Sequence, residues 1–155
     1  MSYLPKIEGA TLLSVNEAET LLTKEERKHS NWWWLRSPGI YQTYAAYVTY
    51  DGSVISFGYY VYTDNFCVRP ALRINIENSD FKIGDIFIFG NKRFKIISDD
   101  LALCTDDIGN FCFRKNYEAE DANDYDKSDA KKIVDQWFAR ATNYQEMLER
   151  QMQKD

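Results

Sequence analysis

Few side chains in this sequence are suited to chemistry, and the densest group is an acidic run, Asp121-Ala122-Asn123-Asp124-Tyr125-Asp126. Carboxylate and amide oxygens are the ligands that Ca²⁺ prefers in proteins. The run lacks, however, the glycine at the sixth loop position and the distant bidentate glutamate of an EF-hand loop. We therefore expect a solvated acidic loop that leads into a helix, without a metal ion.

The single histidine and the three cysteines add little. His29 has no serine or cysteine motif beside it, which excludes most histidine-based triads and dyads, and we expect it to complement the dipole at the end of a short helix. Cys67, Cys104 and Cys112 show neither C-x-x-C nor Cys/His metal spacing, which predicts buried free thiols in a reducing compartment. The sequence thus predicts a protein that is not an enzyme and uses no metal or cofactor.

A third group of side chains suits binding. Seven of the eleven tyrosines lie between Tyr41 and Tyr62, interleaved with Thr, Ser, Asp and Asn. This is the composition of a paratope, because a rigid amphipathic ring gives contact area at low entropic cost. The alternative is that the rings are simply good strand formers on a half-buried face. The predicted ligand-binding residues are Tyr41, Tyr44, Tyr47, Tyr50, Tyr59, Tyr60, Tyr62 and Asp64.

The segment from Asp99 to Asp129 offers a second kind of binding surface. It has a heavy acidic excess, opposed only by Arg114, Lys115 and Lys127. Such a surface can imitate the charge of nucleic acid and block a basic groove. The residues predicted to form this alternative acidic surface are Asp106, Asp107, Glu118, Glu120 and Asp121.

The elements that position these groups begin with two capped helices. Ser14-Val15-Asn16-Glu17 is a capping box and predicts a helix from about Val15 to Leu22. A second box, Thr23-Lys24-Glu25-Glu26, predicts a short helical turn to about Lys28.

The central stretch from Trp32 to Ile74 is predicted to form short antiparallel strands. Asp51-Gly52 is a hairpin signal, for which we predict a type I′ turn. The tryptophan block Trp32–Trp34 and the segment Val68–Leu72 are predicted as the first and last strands of one unit.

A second meander follows, and then a helix. Alternating residues and turn signals at Gly90-Asn91 and Asp99-Asp100 predict the strands Ile86–Phe89, Arg93–Ile97, Leu101–Cys104 and Phe111–Phe113. Apolar residues at helical spacing from Ile133 predict a final helix, capped by Asp126 or Ser128, whose last turns project or fray beyond Asn143. The fold class is therefore α+β.

Length and charge limit the remaining choices. We expect one domain over residues 1–155, with a Trp/Tyr-rich half (10–76), a meander-plus-helix half (81–143) and a helix extension or frayed tail (144–155). The net charge of -5 argues against direct binding to nucleic acid or to an anionic membrane. No apolar run suits a signal peptide or a membrane span, so we expect a cytoplasmic protein, with virion association possible.

The motifs Trp33-Trp34-Leu35-Arg36-Ser37-Pro38-Gly39 and Val68-Arg69-Pro70-Ala71-Leu72 resemble those of a family of uncharacterised bacterial and phage domains. That family is similar in turn to the C-type-lectin-like fold of formylglycine-generating-enzyme-type domains and of phage variable proteins. The resemblance covers residues 10–76 and implies a C-type-lectin-like arrangement of short antiparallel strands. The family usually has glycine where this chain has Cys67.

The second half also resembles that family, in the segment that typical members carry before the Trp-rich half, which implies a circularly rearranged domain. Oxidase-like enzymes of the lectin-like fold use a close cysteine pair, which only Cys104 and Cys112 could imitate; their place in the meander argues against catalysis. Arg36 and Arg69 are expected to make buried structural hydrogen bonds, the alternative being an anion site.

Two functions follow as hypotheses. In the first, the protein is a non-catalytic module, of phage origin, whose tyrosine-rich surface binds a protein or a glycan. In the second, it is an acidic phage-encoded inhibitor of the anti-CRISPR kind, which blocks the basic groove of a host nucleic-acid-binding protein such as a nuclease.

Overall fold

Eight strands and three α-helices follow one another along residues 4–154, which are the residues that the computed structural model describes. The strands are β1 (Lys6–Thr11), β2 (Trp33–Pro38), β3 (Tyr44–Val48), β4 (Val54–Tyr60), β5 (Ala71–Asn75), β6 (Ile86–Phe89), β7 (Lys92–Ser98) and β8 (Leu101–Cys104). The helices are α1 (Val15–Leu21), α2 (Lys24–Arg27) and α3 (Asp129–Lys154), with a 3₁₀ turn at Tyr125–Lys127. Every pair of named strands is antiparallel, and the predicted α+β class is confirmed.

Both capping boxes form as predicted. The Ser14 hydroxyl accepts from the Glu17 amide, and the Glu17 carboxylate accepts from the Ser14 amide. Thr23 and Glu26 repeat the arrangement at α2. Each box satisfies orphan amides of a first helical turn, which explains why such short helices begin where they do.

The smaller sheet has the order β2-β3-β4. Its hairpin is confirmed, but the predicted type I′ turn is wrong. The Thr49 amide donates to the Ser53 carbonyl (2.9 Å), so a three-residue loop, Tyr50 to Gly52, joins β3 to β4. Gly52 lies in the left-handed region (φ 90°), as is usual for the last residue of such a loop.

The larger sheet has the order β1-β5-β8-β7-β6 and joins the two halves of the chain. Strand β5, from the Trp/Tyr-rich half, pairs with β1 on one side and with β8 on the other. The Trp block and Val68–Leu72, predicted as the first and last strands of one unit, therefore do not share a sheet, because β2 and β5 lie in different sheets. A single bridge, Trp33 to Cys67, links the two segments.

The second meander is confirmed over β6, β7 and β8, and a two-residue turn with positive φ at Gly90 and Asn91 closes its first hairpin. The predicted strand Phe111–Phe113 is wrong. The Phe111 amide donates to the Phe66 carbonyl, and the buried Phe113 ring lies edge-on to Trp34 at 5.7 Å. Tertiary packing thus overrides the strand preference of these residues.

Helix α3 packs on the larger sheet with its first half only. Ser128 caps it by accepting from the Lys131 amide at 2.9 Å, whereas Asp126 belongs to the 3₁₀ turn. Val134, Trp137 and Ala141 are buried. Beyond Ala141 the described side chains are exposed or half-buried, so the helix projects, and it remains helical through 144–154 instead of fraying.

The buried tryptophans serve two core regions because neighbouring strand residues face opposite sides of a sheet. Trp33 packs with residues of α1 and β8, and Trp34 packs with Val61, Phe66 and Phe113. Among the described residues, no helix is long and apolar enough to cross a membrane.

Candidate functional site

A continuous row of tyrosine rings crosses the end of the β3–β4 hairpin away from its loop. Tyr44 and Tyr60 are cross-strand partners with ring centroids 4.8 Å apart. The row continues from Tyr44 to Tyr41 (5.1 Å) on one side. On the other it runs from Tyr60 to Tyr62 (5.2 Å) and on to Tyr117 (4.9 Å). We call these five residues, together with Tyr59, the tyrosine surface.

Most of this surface is open to solvent. Tyr41 is 61% exposed and Tyr62 is 43% exposed, while Tyr44 is half-buried among the neighbouring rings. The Tyr60 and Tyr62 rings lie on the same side, since their centroids are 5.2 Å apart, whereas Val61 between them is buried. Single exposed aromatic residues are common, so the contiguity of these rings is what makes the surface a candidate interaction site.

A buried aromatic layer supports the surface. Tyr59 contacts Tyr60 (5.4 Å) and stacks on Phe66 at 5.8 Å. Phe66 packs in turn on Trp34 (4.5 Å) and on Tyr47 (5.0 Å). Tyr47 was predicted as a ligand contact, but it is only 7% exposed, and burial raises the pKa of its hydroxyl. Tyr47 therefore belongs to the supporting layer.

Two other predicted residues lie outside the row. Tyr50 is 62% exposed, but it lies in the hairpin loop, at the opposite end of β3 and β4 from the Tyr44–Tyr60 pair. Asp64 is exposed in the loop after β4. Burial raises the pKa of the Cys112 thiol, and the Asp64 charge makes a smaller contribution in the same direction. The Cys112 thiol in turn donates to the Tyr62 carbonyl at 3.2 Å. Asp64 thus lies at the edge of the tyrosine surface.

The polar edge of the surface is held by hydrogen bonds. The neighbouring Tyr60 hydroxyl, with a smaller effect of burial, raises the pKa of the Tyr44 hydroxyl to about 12. The side-chain amide of Gln42 donates to the Ala119 carbonyl at 2.7 Å, and the side-chain amide of Asn123 donates to the Tyr41 carbonyl at 3.1 Å. The acidic loop therefore buttresses the segment that carries Tyr41.

This buttress brings in a residue that the sequence analysis missed. Tyr117 is 44% exposed and completes the row, although it lies far along the chain from the other tyrosines. Its sequence neighbours, Asn116 and Glu118, are polar, and no local pattern places it beside Tyr62.

The acidic residues do not form one free surface. Asp121 contacts Arg114 (3.3 Å) and Lys127 (3.2 Å), and its hydrogen bond with Lys127 lowers the pKa of its carboxyl. Asp106 lies 3.8 Å from Lys92, and Asp107 contacts His29 at 2.8 Å. The remaining two residues, Glu118 and Glu120, are exposed beside Tyr117.

Both motif arginines make structural hydrogen bonds, but the predicted burial holds only for Arg69, because the Arg36 side chain is 31% exposed. Arg36 donates to the Leu12 carbonyl and to the Glu17 carboxylate. Arg69 donates to the Cys104 carbonyl at 3.1 Å, and its guanidinium lies 4.6 Å from the centroid of the Trp33 ring. Burial raises the pKa of Cys104 to about 11, so this thiol is protonated near neutral pH.

The comparisons with known proteins concern the half that carries most of the tyrosine surface. Residues 7–76 match a family model described as "Domain of unknown function (DUF6273)". The match spans β1 to β5 and includes both motifs on which the resemblance rests. The chain is thus similar, over this half, to an uncharacterised domain family. No curated protein and no solved structure matches the chain.

Proposed function

We propose that the protein is a non-catalytic binding module whose tyrosine surface contacts another protein. The observation that carries the proposal is the unbroken row of exposed rings from Tyr41 to Tyr117 on a rigid base. Tyrosine is among the residues that supply most of the binding energy at protein interfaces.

Rigidity is the first physical reason. Each ring in the row contacts a neighbouring ring, and Tyr59 rests on the core residue Phe66. Rings that are already held in place lose little conformational entropy when a partner binds. If these rings served only to pack the core, exposing them to water would be unfavourable, because apolar surface is stabilised by burial.

Shape and charge favour a protein partner over a small ligand. Three clefts in the described part of the chain, of about 560, 310 and 180 Å³, lie outside the tyrosine surface. The row itself is formed by side chains that project into solvent, whereas sites for small ligands are concave. Asp64, Glu118 and Glu120 lie at or near the edge of the row, and the chain carries a net charge of -5. A partner with a neutral or basic rim is therefore expected.

The experiment measures affinity for a partner captured from a host lysate. Tyr60→Ala and Tyr62→Ala, at the centre of the row, should each weaken binding by about 2 kcal/mol or more, which is roughly thirtyfold. Tyr50→Ala is the control, because Tyr50 is even more exposed (62%) but lies at the other end of the hairpin. It should leave the affinity unchanged, and all three variants should keep the thermal midpoint of the wild type.

Other outcomes would redirect the proposal. Equal losses for Tyr50→Ala and Tyr60→Ala would refute a localised tyrosine surface. Binding to immobilised glycans with the same dependence on Tyr60 would keep the surface and replace the protein partner with a sugar. If Glu118→Gln with Glu120→Gln abolishes binding and its salt dependence while Tyr62→Ala does not, the acidic inhibitor is the better account.

A further inference from the structure

Three side chains that are far apart in sequence meet where the two halves of the chain join. They are His29, which follows α2, Cys67, which precedes β5, and Asp107, which follows β8. The His29 Nε2 atom lies 2.8 Å from Asp107 Oδ2. One nitrogen, one sulfur and one carboxylate oxygen of the three residues all lie within 4.8 Å of one another.

The backbone holds each of the three in place. The second carboxylate oxygen of Asp107 accepts from the Gly109 amide at 2.9 Å. Cys67 donates its amide to the Trp32 carbonyl at 2.8 Å and forms bridges with Trp33 and Asn110. The His29 amide donates to the Tyr50 carbonyl at 3.2 Å. The donor atoms are therefore positioned before any ligand arrives, which lowers the cost of binding.

Two of the three side chains are buried, and the third is partly open to solvent. Cys67 is 1% exposed, and the His29 side chain is 8% exposed. The Asp107 side chain is 24% exposed and provides the contact with solvent. A site with two covered donors and one accessible donor has an entry path and a position for water.

We propose that His29, Cys67 and Asp107 form a Zn²⁺ site with three protein ligands and one open position. Imidazole nitrogen, thiolate sulfur and carboxylate oxygen are the donors that Zn²⁺ takes, whereas Ca²⁺ and Mg²⁺ prefer oxygen alone. The site is a departure from the sequence-based expectation of no metal, because its ligands come from three distant segments and show no recognisable spacing.

The geometry needs only a small adjustment. Neighbouring donors around a tetrahedral Zn²⁺ are about 3.4–3.6 Å apart, given metal–ligand distances of about 2.0–2.3 Å. The His29–Asp107 contact must therefore widen by about 0.6 Å, and the sulfur, which lies at most 4.8 Å from the other two donors, must move inward by at most about 1.3 Å. Rotations of the His29 and Asp107 side chains can supply the first change without moving the backbone.

A nucleophilic cysteine is the less favoured use of the same residues. Cys67 is 1% exposed, so its sulfur is out of reach of a substrate, and burial, with a smaller contribution from the Asp107 charge, raises the pKa of its thiol. A nucleophile needs the thiolate. A bound metal ion, by contrast, displaces the thiol proton when it binds.

The test titrates tag-free, metal-stripped protein with Zn²⁺ by calorimetry and with Co²⁺ by absorption. We expect one ion per chain and a near-ultraviolet thiolate-to-cobalt band. An excess of Zn²⁺ about a hundredfold over Kd should raise the thermal midpoint by about 5–10 °C, because the ion binds only the folded chain.

The variants separate this site from unspecific binding. Cys67→Ala and Asp107→Asn should weaken Zn²⁺ binding at least tenfold, and Cys67→Ala should remove the cobalt band. Cys112→Ser, which alters the partly exposed thiol outside the cluster, should change neither. Asp107→Asn keeps the side-chain shape, so it tests the ligand even if Cys67→Ala unfolds the protein. Failure of the wild type to bind at millimolar Zn²⁺, or unchanged binding in Asp107→Asn, overturns the proposal.

Discussion

Replacing Gly52 in the hairpin loop is expected to lower the free energy of unfolding for two separate reasons, backbone strain and a steric collision. Gly52 has a φ of 90°, and a Cβ atom at this position would lie 2.3 Å from the Lys24 carbonyl oxygen. The Gly52 carbonyl also accepts from Arg27 Nε at 2.8 Å, which ties the loop to α2. Gly52→Ala therefore imposes both a strained backbone and a collision with the backbone of α2.

The magnitude follows from these contacts. A non-glycine residue in the left-handed region costs about 1–2 kcal/mol. Relief of the collision requires the loop to move away from Lys24, which weakens the Arg27 hydrogen bond, worth about 1.5–3 kcal/mol for a charged donor. The expected loss for Gly52→Ala is about 2.5–5 kcal/mol of unfolding free energy, a large share of the roughly 5–15 kcal/mol that is typical of a domain.

Two glycines provide matched controls for this series. Gly84 also has a positive φ (99°), but an added Cβ would meet no atom within 4 Å. Gly84→Ala should therefore cost only the backbone strain, about 1–2 kcal/mol. Gly9 has neither a positive φ nor a close neighbour, and Gly9→Ala should change stability by no more than about 0.5 kcal/mol.

The assay is urea denaturation of all four proteins, with the free energy taken by linear extrapolation and the slopes compared. The expected order of stability is wild type and Gly9→Ala, then Gly84→Ala, then Gly52→Ala. If Gly52→Ala is no less stable than Gly84→Ala, the close approach of the loop to α2 is refuted.

Two further predictions concern acid stability and the C-terminal helix. Burial alone raises the pKa of Glu17, but the hydrogen bonds from Arg36 and the Ser14 amide outweigh it and hold the pKa below the ordinary value of 4.5. A lowered carboxyl pKa stabilises the fold at pH values above the ordinary pKa, and this stability is lost as the pH falls through the folded-state pKa. Glu17→Gln should therefore reduce the drop in thermal midpoint between neutral pH and about pH 3. The control Glu19→Gln, at an exposed position, should not reduce that drop. Truncation after Asn143 should leave the thermal midpoint within about 3 °C of the full chain, because the described side chains beyond that residue are not buried; a larger fall would mean that the projecting end of α3 has a packing role.

Features that depend on near neighbours in sequence could be predicted. The capping boxes at Ser14 and Thr23 and the turn at Gly90-Asn91 form as expected, because each satisfies its backbone groups locally. The strands β6 to β8 follow from alternation and short turns in the same way.

Features that depend on distant neighbours could not be predicted. The residues of β5 do not indicate that this strand pairs with β1 and β8, because their alternation of buried and exposed side chains would be compatible with either sheet. The same limit applies to the candidate sites. Composition located the tyrosines, but only the pairing of β3 with β4 separates the exposed Tyr60 from the buried Tyr47, and only the acidic loop brings in Tyr117.

The position of β5 also sets the order in which the chain can fold during synthesis. The smaller sheet is local, so β2, β3 and β4 can pair as soon as they leave the ribosome. Strand β1 is made first, yet it must await β5, and β5 stays an open edge until β8 has emerged. The buried residues Leu72 and Ile74 are exposed during that interval, because α3, which packs over this sheet, follows β8 in the chain. Nascent chains stalled between β5 and β8 are therefore the form of this protein most exposed to aggregation and most suited to capture by chaperones.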